Sequence, residues 1–185
     1  MPSPQPFRIP AQRVPLLQEG EPDLMSREWY RFFNRKPRYG SFFDTTTQTA
    51  AMIDTPYAVT FTNTATTFGI DRGTPTSRII VPDTSVYDFE FSLQVDKTSG
   101  TNSLIYVWPR INGIDVPDSA SRARIKDNND EQVLAWNFIL DMQGGSYFEL
   151  MWATTNTNVQ LLSEAATAFC PAIPSAILTV FEVSL

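Results

Sequence analysis

From Tyr87 to Val95 every odd position is apolar (Tyr87, Phe89, Phe91, Leu93, Val95) and every even one is polar (Asp88, Glu90, Ser92, Gln94). Period-two alternation places the two sets on opposite faces of an extended strand, with one face on a core and the other wet. Such half-buried strands belong to antiparallel sheets. Comparable runs occur at 41–47, 57–62, 77–81, 103–110, 132–142, 146–153, 158–163 and 175–184. Turn chemistry separates them: Asp71-Arg72-Gly73, Asp96 to Gly100, Asn112-Gly113, Asp127 to Asp130 and Gly144-Gly145. Asn112-Gly113 is the most specific, because both residues tolerate positive φ and the pair favours a type I′ hairpin between flanking strands. The pattern predicts an all-β chain, a two-sheet antiparallel β-sandwich of about 10 strands.

Composition agrees with a folded domain. The 185 residues suit one domain with an appendage. With 42% hydrophobic and 18% charged residues the chain has material for a core and too little charge for disorder. Charge is distributed unevenly. Residues 1 to 40 hold seven Lys or Arg against four acids, and residues 41 to 185 hold seven against sixteen, so the two parts carry +3 and -9. An acidic body offers no clustered cations for phosphate, so no nucleic-acid partner is expected. No apolar run reaches the roughly 18 to 20 residues of a membrane helix, and the N-terminus lacks the apolar region of a signal peptide. No membrane partner and no export signal are expected.

The positively charged part is organised differently. Residues 1 to 22 contain six prolines, at positions 2, 4, 6, 10, 15 and 22, which predicts an extended segment with neither helix nor sheet ladder. Two fates fit it: a disordered tail, or an arm that orders along a partner. The one helix signal follows, over about residues 24–35. Asp23 or Ser26 can cap its start, Glu28 suits the first turn, Arg35 and Lys36 suit the last, and Pro37 ends it. Trp29, Phe32 and Phe33 fall on one face of a helix too short to stand alone in water. That face packs under the chain's own body, docks on another subunit, or joins the same helix of sister chains. Residues 1–38 are read as an attachment segment with Trp29, Phe32 and Phe33 as anchors and Phe7 and Arg31 as further contacts, and 39–185 as the sandwich domain.

Several strands are apolar on both faces. Leu134, Trp136, Phe138 and Leu140 take one face of their run while Val133, Ala135 and Ile139 take the other. Tyr147 and Met151 repeat this in the next strand. A second apolar surface marks a subunit interface, with Val133, Ile139, Tyr147 and Met151 as candidates, or a face covered by the helix or a loop.

No catalytic constellation emerges. Histidine is absent, which removes the commonest general base and zinc ligand together. The body has two lysines, Lys97 and Lys126, both in turn sequences, and nothing selects a carboxylate pair for glycoside hydrolysis. Asp127 to Glu131 lacks the central Gly and distant Glu of an EF-hand and reads as a solvated turn. Cys170, the single cysteine, reads as a packed thiol. No enzyme activity, metal or cofactor is expected.

Two stretches resemble known proteins. The Pro-rich leader with Met25-Ser-Arg-Glu-Trp-Tyr-Arg-Phe-Phe33 resembles the N-terminal attachment segment of small structural proteins of tailed bacteriophages. The rest is similar to the trimeric jelly-roll domains of phage decoration, head-fibre and tail-fibre proteins, whose folds are of the C1q and tumour necrosis factor type. The residues that carry this are Tyr39 to Gln48, Arg78 to Val81, Tyr87 to Gly100, Trp108 to Val116, Ala135 to Phe138, Tyr147 to Trp152 and Pro171 to Val180. The resemblance implies a homotrimer, and its departures are Asp83-Thr84-Ser85 where Gly is common and Pro109 within a strand that should pair. It further implies a decoration or cement protein on the outer capsid surface of the virion. The major capsid protein would be its partner, with a role in host-surface adhesion beside it. The alternative it implies is a receptor-binding tail-fibre or tailspike tip, or a head fibre, that recognises host surface glycan or protein.

Overall fold

The computed structural model describes residues 14–18 and 21–183. The chain order opens with β1 (Leu17–Gln18), β2 (Glu21–Met25), α1 (Arg27–Phe33), β3 (Tyr39–Asp44), β4 (Gln48–Thr49), β5 (Tyr57–Ala58), β6 (Asn63–Phe68), β7 (Asp71–Arg72) and β8 (Ile79–Ile80). The long strands follow: β9 (Ser85–Lys97), β10 (Ser103–Ile111), β11 (Ile114–Asp115), β12 (Ser121–Ile125), β13 (Asp130–Met142), β14 (Tyr147–Thr154), β15 (Val159–Leu161) and β16 (Ala176–Glu182). Apart from the β1–β2 hairpin, the strands form two antiparallel sheets, giving the expected jelly-roll sandwich.

The first sheet is built on β9. It pairs along its whole length with β13, from Ser85↔Met142 to Lys97↔Asp130. Its other side carries β16 and β15, with β3 and β6 beyond β16 and β4 beyond β15. The second sheet is built on β14, which lies between β10 on one side and β5 and β8 on the other. β12 and β11 continue past β10.

The alternation seen in the sequence is what joins them. Tyr87, Phe89, Phe91, Leu93 and Val95 point inward and are buried. Phe89 stacks on Phe148 of the facing sheet at 4.1 Å between ring centroids, and Phe91 meets Trp136 edge-on at 4.6 Å. Area removed from water drives this packing, and the ring pairs add orientation. The Asn112-Gly113 turn has φ of 50° and 81° and joins Ile111 to Ile114 as a tight hairpin, as expected of a type I′ turn.

Pro109 does not break its strand. On the β14 side it sits opposite Leu150. On the other side β12 pairing stops at Val107 and β11 pairing begins at Arg110. The missing N–H therefore falls in a gap of the ladder, where proline is tolerated.

Two expectations about the N-terminal region need correction. The prolines do not prevent a ladder: β1 and β2, the latter containing Pro22, form a short hairpin with an irregular register. The helix is the seven residues Arg27–Phe33, because Leu24 and Met25 are already committed to β2 and Ser26 N–H donates to Leu16 O at 2.8 Å. Asp23 lies in β2 and is no cap. Ser26 precedes the helix, and its carbonyl accepts from Tyr30 N–H, but its buried hydroxyl has no hydrogen-bond partner among the described residues. None of the described helices is long and apolar enough to cross a membrane.

Candidate functional site

The outer face of the β13–β9–β16–β3–β6 sheet is the first surface with a functional character. Register places Ile139, Asp88, Phe181, Tyr39 and Phe68 in one row across five strands. Four of the five are apolar, and all four are exposed, Ile139 at 63% and Phe181 at 50%. A second row holds Ala135, Ser92, Ile177 and Phe43. Between them runs a polar row of Asn137, Glu90, Thr179, Ser41 and Thr66. An apolar sheet face of this breadth is uncommon on an isolated subunit.

The edge of the same sheet is also incomplete. β13 pairs with β9 alone, so a 13-residue strand presents one open side, a feature proteins ordinarily cover. Its core-facing Trp136, Phe138 and Leu140 are only half-buried, packed at the rim of the core. The Trp136 indole N–H is buried with no partner among the described residues. An orphan donor of this kind costs free energy until something supplies an acceptor.

The N-terminal hairpin and helix form the second surface. Trp29 donates its indole N–H to Val14 O at 3.0 Å and stacks on Phe33 at 5.7 Å. Leu16, Leu17, Leu24, Met25, Tyr30 and Phe33 are all exposed, Tyr30 at 60% and Phe33 at 58%. A small unit with this much apolar surface outward is built to be covered.

Its junction with the sandwich is held firmly. The Glu182 carboxylate, fully buried, pairs with the Arg35 guanidinium and accepts from the Arg38 backbone N–H at 3.0 Å. Glu182 N–H in turn donates to Arg38 O at 2.8 Å. Arg38 Nε reaches Asp83 Oδ2 at 3.1 Å, and Tyr87 O–H donates to Asp83 O at 2.9 Å. Burial, reinforced by the nearby Glu182 charge, pushes the Tyr87 phenol up to about 12. The residues just before β3 are thus clamped to the C-terminal strand.

The third feature is an open groove of about 760 Å³ on the outer face of the second sheet. Tyr106 and Trp108, two residues apart on β10, share that face with Ala153 and Met151, directly opposite on β14. Asp54 and Pro56 rise on one side, Asp115 and Asp118 on the other. Asp115 accepts from Trp108 Nε1 at 2.8 Å and from Arg110 Nε at 2.7 Å. The Arg110 hydrogen bond, more than any other cause, holds the Asp115 carboxyl below the usual carboxylate range.

Sequence reasoning and geometry meet unevenly here. Val133 and Ile139 are exposed on the apolar face of the first sheet, Val133 at 58%. Tyr147 and Met151 lie on the other sheet, so the four interface candidates do not share a surface. Met151 is 2% exposed within the single chain: β14 is the central strand of its sheet, and the Trp108 indole stands beside Met151. Tyr147 lies under the Arg78 guanidinium, 4.2 Å from its ring centroid. Among the anchors, Trp29 is half-buried and Phe33 exposed. Phe7 and the side chains of Arg31 and Phe32 lie outside the described residues. Cys170 is half-buried rather than enclosed, in a loop whose Phe169 points into solvent. Asp130 Oδ2 accepts from Lys126 N–H at 2.8 Å, closing its turn. The sequence reading missed Phe181, Tyr39, Phe68 and the Glu182 clamp. Phe181 and Tyr39 stand on outward positions of their own strands, but only strand order assembles them.

No family model matches this chain, and no curated protein is similar to it. Solved structures are. Murine APRIL, of the tumour necrosis factor family, matches with a TM-score of 0.50 at 9% identity, over 80% of this chain and 100% of that one. The globular domain of zebrafish complement 1qA protein matches with a TM-score of 0.47 at 14% identity, over 80% and 98%. At 9% identity the likeness to APRIL is one of fold, and it agrees with the two-sheet jelly roll traced above.

Proposed function

We propose that this protein is a non-enzymatic homotrimer of a tailed-bacteriophage particle, a decoration or cement protein seated on the outer capsid surface. The major capsid protein is its partner in this reading. The observation that carries it is the N-terminal unit: an apolar hairpin and helix turned outward, joined to the sandwich through a buried ion pair. An exposed apolar peg on a fixed hinge serves attachment. Residues 1–38 are the attachment segment and 39–185 the trimerising domain.

Trimerisation is supported by two surfaces that differ from each other, the apolar sheet face and the half-buried β13 rim. Face-to-rim contact is heterologous, and a heterologous contact that closes forms a ring, of which three subunits is a small case. The rim would place Trp136, Phe138 and Leu140 against Phe181, Tyr39 and Phe68 of the next subunit. The non-enzymatic reading is supported by the missing histidine and by the structural employment of buried acids. Asp44 ties together Thr46, Thr60 and Thr62, Glu149 binds Ser77 and Arg78, and Asp96 accepts from Gln160.

Two substitutions in the full chain separate the parts. Tyr30→Ser with Phe33→Ser should abolish binding to particles stripped of this protein and leave the oligomer intact in sedimentation. Phe181→Lys with Ile139→Lys should yield folded monomers. Undiminished particle binding by the first variant would sink the attachment role, and an unchanged trimer in the second would sink the interface. Copy number in the purified particle distinguishes a capsid-wide protein from a fibre tip confined to a vertex or tail.

A further inference from the structure

The groove over Tyr106 and Trp108 is used by neither the attachment unit nor the trimer surface, and it lies on the opposite sheet from the latter. Both can therefore be occupied while it stays open. We infer that this groove binds a neutral, hydroxyl-rich carbohydrate. The inference stands apart from the capsid proposal, since it concerns what the second sheet contacts and not what holds the protein in place.

The floor is aromatic. Tyr106 and Trp108 point the same way from β10, and the small Ala153 opposite Tyr106 leaves the depression between β10 and β14. The Trp108 indole is not free to turn, because its N–H is held by Asp115. A fixed aromatic face with a negative π surface attracts the polarised C–H groups of a sugar ring laid flat on it. Hydroxyls of such a ring radiate sideways, toward the walls.

The walls are acceptors. Asp54 stands on one side and Asp118 on the other, both exposed, and neither carboxylate has a hydrogen-bond or ion-pair partner among the described residues. Ionised carboxylates accept hydrogen bonds and donate none, which suits hydroxyl groups. Two cations flank the groove: Arg110, engaged by Asp115, and Arg122, exposed on β12 directly opposite Tyr106. Asp54, Asp115 and Asp118 against these two guanidinium groups leave a net charge of -1, which disfavours sialic acids, uronic acids and phosphorylated sugars relative to neutral ones.

Two competing occupants are less well served. A peptide strand needs backbone partners, but β10 is paired with β14 along the groove and with β12 up to Val107, and Pro109 O already accepts from Val116 N–H, so the floor has no free ladder to offer. A single ammonium group fills little of 760 Å³, whereas a chain of sugar rings matches a cavity in the usual ligand range.

The test uses the full-length protein on an array of neutral, sialylated and uronic oligosaccharides together with a Lys-rich peptide. Hits are then titrated by tryptophan fluorescence. Retention of at least one neutral oligosaccharide is expected, with loss of affinity of about tenfold or more in Trp108→Ala, as for an aromatic anchor. Asp118→Asn, an exposed change that leaves the fold alone, should weaken the same ligand about three- to tenfold. It keeps the test decisive if Trp108→Ala misfolds. The inference is overturned if no neutral oligosaccharide is retained, if acidic sugars or the Lys-rich peptide alone bind, or if Asp118→Asn and a folded Trp108→Ala bind like the parent. Particle binding by the Tyr30 and Phe33 variant reads the attachment role separately, so either idea can fail alone.

Discussion

The clamp between Arg35 and Glu182 lends itself to a double-mutant cycle. The Glu182 side chain is fully buried and that of Arg35 is 14% exposed, so solvent screens the pair little. Arg35→Ala leaves a buried carboxylate whose remaining hydrogen-bond donor among the described residues is the Arg38 N–H at 3.0 Å. Removing one partner of a buried pair costs about 3–5 kcal/mol, and the surviving hydrogen bond offsets about 1 kcal/mol of it. The expected loss is therefore about 2–4 kcal/mol. At a urea slope of about 2 kcal/mol per M, the midpoint falls by about 1–2 M. Adding Glu182→Gln to Arg35→Ala removes the stranded charge, keeps the volume and leaves an amide oxygen for Arg38 N–H. The double variant should regain about 2 kcal/mol over Arg35→Ala, a non-additive coupling of the kind contacting residues show. Urea unfolding followed by tryptophan fluorescence, at one fixed protein concentration because association adds to stability, measures all four corners. A midpoint for Arg35→Ala within about 0.2 M of the parent, or strict additivity, would refute the argument that a desolvated charge holds the arm.

Two further outcomes follow from the core. The Tyr87 phenol, raised to about 12 by burial, keeps its proton longer in the folded than in the unfolded chain. Its contribution is complete below the unfolded value near 10 and lost as pH climbs toward 12, a decline of roughly 2–3 kcal/mol. Ultraviolet titration should show one tyrosine ionising last and Tyr87→Phe removing that step; early titration of all six tyrosines would contradict it. Phe148→Ala removes the ring stacked on Phe89 at 4.1 Å and should cost about 3–5 kcal/mol. Calorimetry should record a fall of about 6–20 °C, and a shift under about 3 °C would mean that the two sheets do not meet there.

Much of the sandwich was readable because strand formation is local. The side-chain period along 85–95, the Asn112-Gly113 turn and the alternating run at 132–142 are properties of neighbouring residues, and each stands in the fold as its pattern implied. Pro109 looked like a defect because the gap between β12 and β11 is invisible until both strands are in place. The helix was overextended at its start because Leu24 and Met25 carry no signal that they belong to a hairpin with Leu17.

The functional surfaces divide along the same line. Outward and inward positions of each strand follow from alternation, so Val133 and Ile139 could be named from their own run. Met151 occupies an outward position by the same rule and is nevertheless buried, because β14 became the middle of its sheet with Trp108 alongside. Strand order, not period, decides whether an outward apolar residue meets water. Phe181, Tyr39 and Phe68 come from three separate strands and form a row only after β16 inserts between β9 and β3. Arg35 and Glu182 lie 147 residues apart, a pairing no local pattern can announce. Periodicity assigns each residue a face, since it depends on backbone geometry alone; which faces adjoin depends on the long-range pairing that closes the sandwich, and the apolar sheet face and the groove are both products of that closure.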